Sequence, residues 1–104
     1  VGDMEGVVEV QSVDLDRDGL YFIARDGGAW VYVDVEDRLV KMFGSLRDAL
    51  AYGLHVAPEE ITNVELIKVS EDVARIGRWE TKVEDYVLRV CLGSGCLEFK
   101  AWVD

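Results

Sequence analysis

The feature that most constrains the fold is the stretch 19–35, G-L-Y-F-I-A-R-D-G-G-A-W-V-Y-V-D-V. Two runs rich in β-branched and aromatic residues flank Asp26-Gly27-Gly28. A tight primed turn needs positive φ, which Gly adopts at little cost and Asp tolerates, so the pattern signals a β-hairpin. Alternation then sorts the side chains onto two faces. Leu20, Phe22, Ala24, Val31, Val33 and Val35 share one face, which is wholly apolar and is expected to be core. Tyr21, Ile23, Arg25, Trp30 and Tyr32 share the other with Asp34. Aromatics with an Arg are the residue types enriched at protein contact sites. These five are therefore the candidate interface; the competing reading is that another element covers them.

A second hairpin is legible over 82–103. With Gly93 and Ser94 at the centre of its turn, Cys91 faces Cys96, Val90 faces Leu97, Arg89 faces Glu98 and Leu88 faces Phe99. This register gathers Tyr86, Leu88, Val90, Leu97, Phe99 and Ala101 on one side, and a one-residue slip would mix the sets. It also places Cys91 and Cys96 where strands approach closely, which predicts a cross-strand disulfide. Its loop is short, so its stabilising effect is expected to be small. The rivals are two free thiols, a redox pair without the C-x-x-C spacing, and half a zinc site. Zinc would need two more soft ligands where only His55 remains.

Ahead of the first hairpin, residues 4–13 read as a strand. The link that follows, D-L-D-R-D-G over 14–19, matches the opening half of a calcium loop. Alternate carboxylates in a tight turn can converge on a hard cation, so Asp14, Asp16 and Asp18 are candidate metal ligands. The set is incomplete: the ninth loop position is Phe22, and the twelfth, which should supply a bidentate carboxylate, is Arg25. The alternative is a polar turn whose Asp side chains accept from nearby backbone amides.

Residues 36–43 read as a short strand or an extended connector. A helix is predicted over 45–54, opened by Ser45 with Asp48 three residues on. Leu46, Ala49, Leu50 and Leu54 form its apolar stripe, and Gly53 is expected to end it. His55, the only histidine, is a general base in one reading and a helix-end residue in the other. Pro58-Glu59-Glu60 predicts a helical turn near 58–62. Residues 63–69 favour strand through their β-branched content, with continued helix as the alternative. Ser70-Glu71-Asp72 resembles a cap, so a further helical turn is expected over 71–76, ending at Gly77.

The fold class is thus α+β. It is a single domain spanning 1–104 with a mostly antiparallel sheet, two hairpins (19–36 and 82–103), an N-terminal strand and one amphipathic helix packed on the sheet. Net charge is −10, with 21 acids against 11 bases and no basic cluster, which argues against nucleic-acid partners. There is no apolar run long enough for a membrane span and no secretory-type start, so a cytoplasmic protein is expected. Charged residues are plentiful while Asn63 and Gln11 are the only side-chain amides, the composition of a heat-adapted protein, in which an intracellular disulfide is tolerated.

No nucleophile–base set is visible. The expected function is a non-catalytic protein-interaction or self-association module, with a protein partner or a homo-oligomer. The alternative is a small calcium-binding domain built on the loop 14–19. A carboxylate-based enzyme has no specific support, since 21 acids always supply some plausible pair.

Overall fold

The computed structural model describes residues 9–103. Its strands are β1 (Val10–Asp14), β2 (Tyr21–Asp26), β3 (Ala29–Asp34), β4 (Leu39–Phe43), β5 (Ile61–Ile76), β6 (Trp79–Leu92) and β7 (Gly95–Val103). One helix, α1 (Leu46–Leu54), and a 3-10 turn at Pro58–Glu60 interrupt them. All strands join one antiparallel sheet in the order β4-β3-β2-β1-β7-β6-β5. The part of the expected first strand that precedes residue 9 lies outside the described residues.

Both hairpins form in the expected registers. Ala24 pairs with Val31, and Asp26 with Ala29, across a turn in which Gly27 holds φ at 62°. In the second, Cys91 pairs with Cys96, Arg89 with Glu98 and Leu88 with Phe99. Residues 39–43 form a true strand, at the sheet edge beside β3.

The helix starts where the sequence puts it. Ser45 is extended and its hydroxyl accepts from the Asp48 amide at 3.1 Å. It ends within the expected range, with Gly53 inside its last turn. It runs to Leu54, and His55 closes it with φ of 59° while the Val56 amide bonds back to Ala51 O at 3.0 Å. Leu46, Ala49 and Leu50 are buried against the sheet, and Arg47 donates a guanidinium hydrogen bond to Ile61 O. A helix this short owes its stability to that docking rather than to propensity.

One ladder row crosses the whole sheet: Lys41, Tyr32, Ile23, Val13, Ala101, Tyr86 and Lys68. Its central members, with Trp30, Val64, Leu88 and Val90, make the core under α1. Among the described residues, the opposite face of the sheet carries no helix.

Two expectations are corrected. The first concerns the faces of the first hairpin. Ile23, Trp30 and Tyr32 are buried, while Phe22, Ala24, Val31 and Val33 are half-buried on the helix-free side. Alternation separates two faces without saying which one a helix will cover. Here α1 presents small residues and leucines, and the bulky rings of β3 fill the space beneath it. The second concerns 71–76, which is strand and not a helical turn. It continues β5, turns at Gly77 (φ 62°) and returns as β6, with Ile76 paired to Trp79. An extra residue, Val69, falls between the pairs Lys68–Tyr86 and Ser70–Asp85. Such a bulge shifts the alternation by one and hides the strand period in the sequence.

Candidate functional site

The proposed interface residues do not form an open surface. Ile23 is fully buried, and Trp30 and Tyr32 nearly so. Tyr21 and Arg25 are half-buried, and the Arg25 guanidinium stacks 4.6 Å from the Trp30 ring centre. Tyr32 meets Tyr52 of α1 edge-on at 5.2 Å, Phe43 lies 5.3 Å from the same ring, and Lys41 caps it at 4.5 Å. These aromatics join helix to sheet; they correct the reading of this face as a contact patch.

The calcium reading is corrected as well. Asp16 Oδ1 accepts from the amides of Leu20 and Tyr21, at 3.1 and 3.2 Å, and so caps its own turn. Asp14 sits in β1, where burial and the Asp16 charge push its carboxyl up from the usual range. Asp18 is exposed. Among the described residues no group of three His, Cys, Asp or Glu is placed to hold a metal ion. Cys91 and Cys96 form the expected disulfide.

Two features that the sequence did not announce remain. The first is a cleft of about 390 Å³ at the C-terminal end of α1, lined by Tyr21, Tyr32, Tyr52, Asp34, Asp37 and His55 together with leucines. Gly53 packs closely at its wall, where a side chain would run into Leu15 and Tyr32. Asp34 is only 7% exposed and its Oδ1 accepts from the Asp37 amide at 2.9 Å. The Asp34 charge, ahead of desolvation, raises the Asp37 carboxyl above its ordinary value. At the rim, Tyr21 donates to Glu36 Oε2 at 3.0 Å, and that bond is the main cause of a phenol pKa pushed up to about 12. The Tyr32 phenol is raised too, by burial and then by Asp34. The cleft is therefore acidic and aromatic, with the Tyr21 and Tyr32 phenols held protonated. His55 is exposed at the helix end, as the structural reading of that residue expected.

The second feature is an arm. Beyond the Tyr86–Ala101 pair, residues 70–76 and 79–85 pair only with each other, over seven rungs or about 20 Å. One side of this ribbon is a charge ladder. Lys82 reaches Glu71 at 2.9 Å, Lys68 reaches Glu71 at 2.8 Å and Arg75 reaches Glu80 at 2.7 Å. The other side carries Ser70 bonded to Asp85 at 2.6 Å, then Asp72 beside Val83, Ala74 beside Thr81, and the tip pair. At the tip, Ile76 is 75% and Trp79 80% exposed. By the pleat, this side continues the helix-free face of the sheet. On that face Val40 and Met42 are 64% and 63% exposed beside Val33 and Val31, and Trp102 is open as well.

The sequence signal for the tip is R-I-G-R-W-E over 75–80, a two-residue turn with Gly77 at a position of positive φ, set against the apparent helix cap at Ser70. No helix among the described residues is long and apolar enough to cross a membrane. No family model, curated protein or solved structure matches the chain.

Proposed function

We propose that this chain is a non-catalytic protein-interaction module that docks through the side of its β5–β6 arm that ends in the Ile76–Trp79 tip, together with the helix-free sheet face. The supporting observation is the Ile76–Trp79 tip pair, exposed on a ribbon whose strands, among the described residues, pair there only with each other. A two-stranded ribbon is marginal by itself in water, and a large exposed aromatic is costly unless it meets a partner. Trp is also the residue type most often found at the energetic centre of an interface.

The test is retention of a companion, either another protein or an untagged copy of the chain, by tagged wild type and by an Ile76→Asp/Trp79→Asp variant. Both positions are exposed, so the variant should fold, which its melting curve checks. A stoichiometric companion held by wild type and lost by the variant carries the reading. Equal retention by both, or none by either, removes it.

A further inference from the structure

The arm tip and the cleft are chemical complements, and we infer that the tip of one copy seats in the cleft of another, with Trp79 as anchor and Arg78 facing the acidic rim. The inference rests on the docking function above and names the partner as a second copy of this chain.

Residues 74–79, A-R-I-G-R-W, carry two arginines and no acid in a chain of net charge −10. Arg75 is tied to Glu80 across the ladder, while Arg78 stands exposed in the turn beside Trp79. The cleft offers the reverse: Asp34 and Asp37 in its lining, Glu36 at its edge, and the rings of Tyr21, Tyr32 and Tyr52 as walls. Two copies with this net charge repel each other over most of their surfaces. Tip against cleft is a pairing that sets an unshared cation against clustered carboxylates while an indole fills an aromatic recess.

The topology prevents a copy from doing this to itself. Tyr21 begins β2 at the cleft, whereas the arm leaves the sheet at the other end, where β2 finishes. The antiparallel ladder from β2 through β1 and β7 to β6 establishes this, with Val10 beside Val103 and Ala101 beside Tyr86. Occupant and recess therefore belong to different molecules. A seated Trp removes about 150–250 Å² on its own side and a similar area from the recess. Two such contacts reach about 600–1,000 Å², the size of a weak, reversible interface. A contact between unlike patches closes as a reciprocal pair or propagates along a row.

Sedimentation of purified chain over about 5–500 µM, a range that brackets weak interfaces, tests the inference. The weight-average mass should rise with concentration for wild type. Trp79→Ala should raise the dissociation constant about tenfold or more. Arg78→Glu and Asp37→Arg should each weaken association, and the Arg78→Glu/Asp37→Arg double variant should recover it. All three sites of change are exposed, and melting curves confirm folding. A wild type that stays monomeric throughout overturns the inference while leaving docking to another protein standing. Association untouched by Trp79→Ala, or charge reversals without mutual rescue, overturns it too.

Discussion

Gly53 and Leu15 touch so closely that a Cβ on Gly53 would lie 2.5 Å from Leu15 Cδ1, with the Tyr32 ring 3.1 Å away. The glycine sits in the last turn of α1, where Ala would ordinarily be the better helix former by about 1 kcal/mol. Crowding works against that gain. Leu15 can shift its methyl, but Tyr32 is wedged between sheet and helix. Overpacking of this kind costs about 1–3 kcal/mol. Gly53→Ala should therefore destabilise by about 1 kcal/mol net, measured by denaturant unfolding. In the Gly53→Ala/Leu15→Ala pair the two losses should be less than additive, because the second change vacates the contested space.

The reversed faces of the first hairpin can be checked directly. Ile23 is fully buried under α1, so Ile23→Ala should cost about 2–5 kcal/mol. Val40 and Met42 stand open on the other face, and Val40→Thr or Met42→Gln should change stability by about 0.5 kcal/mol or less. Equal losses on both faces would contradict the arrangement.

The Tyr21–Glu36 bond predicts a titration. A phenol that donates to a carboxylate keeps its proton, and the Tyr21 pKa rises from 10.0 to about 12. A folded-state pKa above the unfolded one gives stability that is complete below pH 10 and lost as pH climbs through about 12. Ultraviolet titration should show the Tyr21 phenolate appearing late, alongside the raised phenols of Tyr32 and Tyr86, and Glu36→Gln should bring the Tyr21 step back toward the ordinary value. Tyr21→Phe should remove that late step.

Asp37 has the same sign at acid pH. The neighbouring Asp34 charge raises its carboxyl, so the folded state holds that proton more tightly than the unfolded chain does. The resulting contribution is present at low pH and is lost as pH rises through the raised value. Asp37→Asn removes the repulsion while leaving the backbone donor to Asp34 in place. A small rise in melting temperature near neutral pH is expected, with the gain over wild type vanishing in strong acid.

Because Asp16 already serves two backbone amides, the loop 14–19 should be indifferent to calcium. The melting temperature in calcium should equal that in chelator. Asp16→Ala should cost about 1 kcal/mol, as loss of a side-chain cap typically does. A calcium-dependent shift of several degrees would restore the metal reading.

Much of the fold was legible locally. The Cys91–Cys96 ladder position follows from a turn of known length and a period of two. The Ser45 cap and the stripe Leu46–Ala49–Leu50 follow from helix geometry. The contact surface was not legible, for two physical reasons. A bulge at Val69 displaced the alternation that would have revealed the arm. The aromatic content of the Tyr21–Tyr32 face was compatible equally with a partner outside the chain and with a helix from inside it.

By itself the sequence determined what neighbouring residues can settle: where the chain turns, which side chains share a face, and how the hairpin registers match. Only the tertiary structure decided which face α1 covers, that residues 70–85 stand clear of the sheet as an arm, and that three tyrosines and two aspartates from separate elements border one cleft. Pairing within a hairpin is governed by short-range backbone geometry. The choice of buried face depends on how distant segments fill space together, and no local period records it.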